Sequence, residues 1–183
     1  DESTHSATAM IEELLNELVA DLADDNTVAV GLTGSHARGG ETDYSDVDLL
    51  RFVAEQPAGD EARYTLTHRG GRLVSITTTT IDAKGGEMEA PEQAIWAVPG
   101  LRQTRVLFDP ADALSDLRRR ALAFSWAPLE EACGEYVSYT VMGCAEEVCK
   151  ILGGLDRGES SQVLYGTLGL FLGLTRAMAV HRR

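Results

Sequence analysis

Leu32-Thr33-Gly34-Ser35, then Arg38-Gly39, then Tyr44-Ser45-Asp46-Val47-Asp48-Leu49-Leu50 is the stretch on which both fold and chemistry turn. Val28 to Leu32 is a short apolar run with β-branched residues, and it predicts a buried strand that stops at Gly34. Ser35 to Ser45 is rich in Gly, Ser, Thr and Asp and predicts loop or a short helical turn. Asp46 to Val53 predicts a second strand, with Asp46, Asp48 and Leu50 on one face. Two carboxylates separated by one strand residue project from the same side, roughly 6–7 Å apart at the backbone. Such neighbours repel unless a cation sits between them. Mg2+ favours hard oxygen ligands of this kind and shares them with phosphates. Gly34 has no Cβ, so a phosphate can approach its backbone closely. Ser35 adds a hydroxyl and an N–H at the strand end, where a starting helix would contribute positive dipole.

Working outward, Met10, Ile11, Leu14, Leu15, Leu18, Val19 and Leu22 recur at helical spacing and predict one amphipathic helix ending before Asp24. Residues 1–8 read as a tag remnant or a disordered arm. Arg63–His68 and Arg72–Thr80 flank Arg69-Gly70-Gly71, a hairpin signal because Gly-Gly accepts the positive φ of a tight turn. Pro91–Val98 predicts a short proline-opened helix and Thr104–Phe108 a short strand. From Ala111 the pattern turns helical: Asp112–Phe124, Pro128–Leu155 stopped by Gly153-Gly154, and Ser160–Val180. The expected fold class is α+β, a twisted mixed or antiparallel sheet with flanking helices followed by a C-terminal helical bundle. Its expected divisions are 9–110 for the α/β half and 111–183 for the helical half. The last helix reaches Arg183 without a Gly or Pro stop, so the natural chain is expected to continue.

Composition narrows the partners. The chain has 183 residues, 44% of them hydrophobic, enough for a compact core. A net charge of −13 repels a phosphate backbone and argues against a large nucleic-acid footprint. A small triphosphate stays compatible, because a bound divalent cation inverts the local field. Cys133, Cys144 and Cys149 are odd in number and form no Cys-x-x-Cys pair, which suits reduced thiols, core packing in the helical half, and a cytoplasmic location. The N-terminus shows no secretory signal, and the apolar run Leu168–Leu174 is too short for a membrane span. No zinc-type cluster and no Walker A lysine motif occur.

Gly34-Ser35, a loop of about ten residues, then Asp46-x-Asp48 between apolar residues resembles the polymerase-β-like nucleotidyltransferase superfamily. Arg38-Gly39 and Ser45 extend the match. It is strongest over residues 28–53, reaches to about 110, and looks most like the small bacterial branch of minimal and aminoglycoside nucleotidyltransferases. The resemblance implies a catalytic domain at 9–110 that transfers a nucleoside monophosphate, AMP from ATP, to a hydroxyl of a small molecule or protein. It implies Asp46 and Asp48 as catalytic metal ligands for Mg2+, and Gly34, Ser35, Arg38 and Ser45 on the nucleotide. In the aminoglycoside enzymes a helical-half Glu is the base, with a Lys four residues later near the triphosphate; Glu146 and Lys150 have that spacing and share one helix face.

The pattern departs from the family at one place. Many members carry a third carboxylate on a neighbouring strand, and in Leu73-Val74-Ser75-Ile76 its place falls to Ser75. Either two carboxylates suffice, or metal binding and catalysis are weakened, or the domain binds nucleotide without turnover. That last alternative is an inactive binding module, such as an antitoxin-type partner of a toxin protein; a homodimer is a further expectation. Glu146 and Lys150 read equally as a solvated pair. Glu147 competes as the carboxylate, because it projects nearer the apolar stripe. His36 is a phosphate contact or a surface residue, and Arg38 a phosphate ligand or an anchor to Asp43.

Overall fold

The computed structural model of the chain describes residues 2–56, 58–59 and 63–183, the side chains of residues 2–8 excepted. Two compact units form, Asp1–Glu87 with Ala97–Phe124, and Met88–Trp96 with Ser125–Arg183. The elements are α1 (Glu2–Leu22), β1 (Thr27–Thr33), α2 (Gly34–Arg38), β2 (Val47–Val53), β3 (Tyr64–Arg69), β4 (Arg72–Thr79), α3 (Ile81–Gly86), α4 (Pro91–Gln103), β5 (Arg105–Phe108), α5 (Ala113–Leu122), α6 (Glu130–Arg157) and α7 (Ser160–Arg182). Of the expected arm over residues 1–8, residues 2–8 are helical backbone of α1, and Asp1 lies outside the described residues.

In the first unit the strands form one mixed sheet in the order β3-β4-β2-β1-β5. β1 runs antiparallel to β2 and β5, β3 antiparallel to β4, and β2 parallel to β4. The hairpin turns where the glycines require it, with φ of 56° at Gly70 and 75° at Gly71. Leu14, Leu15 and Leu18 of α1 pack on Leu32, Val47, Leu49, Val74 and Ile76, closing one sheet face. Asp48, Leu50 and Phe52 alternate onto the other face. There Gly31 lets α5 approach: a Cβ at Gly31 would lie 3.0 Å from Leu114 Cδ2 and 2.6 Å from Thr104 Cγ2. Phe52, Leu114 and Leu117 are fully buried, and truncating Phe52 would cost about 3–5 kcal/mol.

Four local expectations are corrected. β2 begins at Val47, so Asp46 is the residue just ahead of the strand. The strand expected to run to Thr80 ends at Thr79, and Thr80 instead caps α3, its Oγ1 accepting from the Ala83 N–H at 3.1 Å. α4 continues through Pro99 to Gln103. Proline there forfeits one helical hydrogen bond, about 3 kcal/mol, offset by the buried Ala94, Ala97, Val98 and Leu101. α6 passes through Gly153-Gly154 and ends at Gly158, whose φ of 69° supplies the left-handed stop. α5 belongs with the sheet unit.

In the second unit α6 and α7 form an antiparallel hairpin joined by a small-residue seam. A Cβ on Gly154 would meet Val163 Cγ2 at 2.9 Å, and one on Gly166 would meet Ile151 Cγ1 at 2.9 Å. Glycine at those positions sets the helix separation rather than ending a helix. At the open end Arg183 donates to Glu130, which holds that carboxyl below its ordinary range. The apolar run at 168–174 sits inside a 23-residue helix, α7, which contains an 18-residue window of mean hydropathy 1.5. By length and composition α7 is long enough to span a bilayer, and 17% of its apolar window is buried.

Candidate active site

Strand pairing brings the candidate residues together. In the antiparallel ladder Thr33 stands opposite Asp48, so Gly34 leaves β1 beside the Asp48 side chain. Gly34 has φ of 70°, the left-handed region that disfavours any Cβ. A Cβ there would lie 2.1 Å from Asp48 Oδ2. The absent methyl is the space the carboxylate oxygen occupies. In the parallel ladder Asp48 stands abreast of Ser75, and Ser75 Oγ donates to Asp48 Oδ1 at 2.6 Å. Ser75 is 6% exposed, so this bond is held out of water. One carboxylate oxygen is thus tied by Ser75 and the other presented at the Gly34 turn.

Asp46 is half-buried and forms no hydrogen bond or ion pair among the described residues, leaving both its oxygens open. The Asp48 carboxylate, one oxygen seated where a Cβ of residue 34 would lie, and the open Asp46 carboxylate two residues earlier are hard oxygen donors of the kind a small divalent cation takes. No group of three His, Cys, Asp or Glu side chains that could hold a metal ion occurs among the described residues; the residue abreast of Asp48 is the neutral Ser75.

The flanking candidates lie on α2 and in the turn before β2. α2 starts at Gly34, so the first backbone N–H groups, including that of Ser35, lack helical acceptors. Gly39, with φ of 67°, ends α2 by donating to Ser35 O. Ser45 serves the turn before β2: its Oγ accepts from the Thr42 N–H at 2.9 Å. Arg38 is exposed on α2 and forms no ion pair among the described residues, so the expected anchor to Asp43 is not made. His36 buries Nε2 without a partner among the described residues, a feature that no local sequence pattern signals.

On α6, Lys150 takes a different partner from the expected Glu146. Lys150 Nζ donates to Glu147 Oε1 at 2.6 Å and lies 5.8 Å from the Tyr165 ring centroid. That hydrogen bond raises the Lys150 pKa above its ordinary value. The Glu147 carboxylate fits against Gly169, where a Cβ would sit 2.8 Å from Oε2, and Oε2 is buried without a partner. Glu146 is exposed. Three consecutive arginines that resemble a basic patch are engaged locally: Arg118 with the Arg102 carbonyl, Arg119 with Asp116, Arg120 against Gly85.

A nucleotidyltransferase-like protein from Exiguobacterium sibiricum 255-15 has a similar structure, with a TM-score of 0.54 and 16% identity. The match covers 94% of this chain and 58% of that one, so this chain spans well under two thirds of that protein's length. No family model matches the chain, and no curated protein does. The five-stranded mixed sheet, its flanking helices and the C-terminal helical region are a nucleotidyltransferase-like fold.

Proposed function

We propose that the chain is a Mg2+-dependent nucleotidyltransferase that moves a nucleoside monophosphate, AMP from ATP, onto a hydroxyl of a small molecule or protein in the cytoplasm. The observation that carries the reading is the junction of Gly34, Asp48 and Ser75: a 2.6 Å hydrogen bond on one oxygen of the Asp48 carboxylate, and the other oxygen seated where a Cβ of residue 34 would lie. Asp46 and Asp48 would hold Mg2+, which, when bound, neutralises charge on the triphosphate. Gly34 seats the Asp48 carboxylate against the backbone, and the Ser35 N–H and hydroxyl donate to a phosphate oxygen. Arg38, exposed and unpaired among the described residues, supplies a charge-assisted bond to the phosphate tail. Ser45 holds the turn that delivers Asp46. The acceptor oxygen attacks the α-phosphorus, the bond to pyrophosphate breaks, and the acceptor proton passes to a general base.

The test is ATP binding by calorimetry with and without Mg2+, then pyrophosphate release against a panel of hydroxyl acceptors. Asp46→Asn and Asp48→Asn are expected to abolish both while circular dichroism stays unchanged. Retention of both by the double variant defeats the proposal. A second reading, a binding module of antitoxin type, is favoured by Ser75 in the third-ligand position and the lack of a three-ligand cluster among the described residues. Mg2+-dependent ATP binding without pyrophosphate release on any acceptor supports it.

A further inference from the structure

We infer that the outer face of α7 is a self-association surface, on which a second copy of this chain docks in an antiparallel, two-fold arrangement. The inference is independent of the nucleotide site. Gly166, Ala177 and Val180 face inward and are buried, while Leu164, Leu168, Phe171, Thr175 and Met178 all lie exposed. Their steps of four, three, four and three form the seam of a helix that packs against another helix. From Ser160 to Thr175 the helix carries no charged residue.

The area suits a dimer. The large apolar side chains of this face, with Tyr165 and Leu172 at its flank, are 49–73% exposed. At roughly 200 Å2 per large side chain they present on the order of 700 Å2, close to the ~800 Å2 per partner of a standard interface.

Charge suits the antiparallel orientation. Asp156 precedes α7 and Arg176 and Arg182 lie in its last turns, while Glu159 is paired with Arg157 and Arg183 with Glu130 within the chain. Two antiparallel copies turn Asp156 of each toward the Arg182 end of the other and oppose the helix dipoles favourably. The seam is nearly symmetric about Phe171, with Leu164 and Met178 each seven residues away. Phe171 therefore packs on Phe171 of the partner subunit, and Leu164 on Met178 of the partner subunit. With α6 behind each α7, the product is a four-helix bundle. A bilayer is the poorer occupant. α7 is packed on α6, which carries Glu130, Glu131, Glu135, Glu146, Glu147 and Asp156, and burying these carboxylates in lipid is costly.

Sedimentation velocity on the full chain tests the inference. The expected species is about 39 kDa, twice the 19.7 kDa chain, at concentrations of tens of micromolar. Leu168→Glu with Phe171→Glu should return it to monomer with unchanged circular dichroism, since both side chains are exposed. In a Cys149→Ser background, Phe171→Cys should cross-link to itself on oxidation. Leu164→Cys should not, because its two copies stand about 21 Å apart along the antiparallel pair. A wild-type monomer at 100 µM, whether or not it floats with phosphatidylcholine vesicles, overturns the inference. So does a dimer that survives the double glutamate variant, or equal cross-linking at 164 and 171.

Discussion

Replacing Gly34 by alanine perturbs the candidate site in two separable ways. The first is backbone strain: φ of 70° places an L-residue in the left-handed region, which costs about 1–2 kcal/mol. The second is the clash. The new Cβ would lie 2.1 Å from Asp48 Oδ2, and a retreat to 3.0 Å moves that oxygen about 0.9 Å. Such a shift breaks the 2.6 Å Ser75–Asp48 hydrogen bond; bonds to charged groups contribute about 1.5–3 kcal/mol. Together the terms destabilise the sheet unit by about 2.5–5 kcal/mol. Gly71→Ala is the control. Its φ is 75°, and nothing lies within 4 Å of the added Cβ, so it carries strain alone. Thermal unfolding of the two variants should therefore differ by roughly 3–12 °C, taking about 2–4 °C per kcal/mol for a chain of this size. Calorimetry should show Mg2+-dependent ATP binding lost in Gly34→Ala and kept in Gly71→Ala. Equal melting temperatures and equal binding in the two variants would refute the claim that Gly34 exists to make room for the Asp48 carboxylate.

Ser75→Ala should lower stability by about 1–2 kcal/mol, because it unties a buried carboxylate oxygen. It should also weaken Mg2+-dependent ATP binding, whereas Ser75→Asp should tighten Mg2+ binding; isothermal titration reads both. Burial pushes the Cys133 thiol above its ordinary range. With Cys144 also buried and Cys149 exposed, a thiol reagent at neutral pH should label Cys149 quickly and the other two only on unfolding. Asp24 has a lowered pKa, chiefly from its hydrogen bond to Arg51 and then to Thr27. A lowered carboxylate pKa gives stability that is present above its unfolded value and lost as pH falls through the folded one. Acid unfolding followed by fluorescence should therefore show a shallower acid limb in Asp24→Asn than in the parent.

The elements readable from sequence were those set by local sterics and periodicity. The Gly70-Gly71 hairpin, the Leu14-Leu15-Leu18 stripe and the short spacing from Gly34-Ser35 to Asp46-x-Asp48 each depend on neighbours within a dozen or so residues. Those features sufficed for an α+β fold and a candidate carboxylate pair. The tertiary structure decided which distant residues meet them. Ser75 touches Asp48 because β2 and β4 pair in parallel, and no local pattern encodes that register. Lys150 chooses Glu147 over Glu146 because α7 offers Gly169 and Tyr165 beside it. Gly154 reads as a helix stop in isolation, yet it lies inside α6 because Val163 of the next helix needs its space. Side-chain period and turn chemistry are properties of the chain alone, whereas strand order and helix contact are set by which surfaces bury one another best.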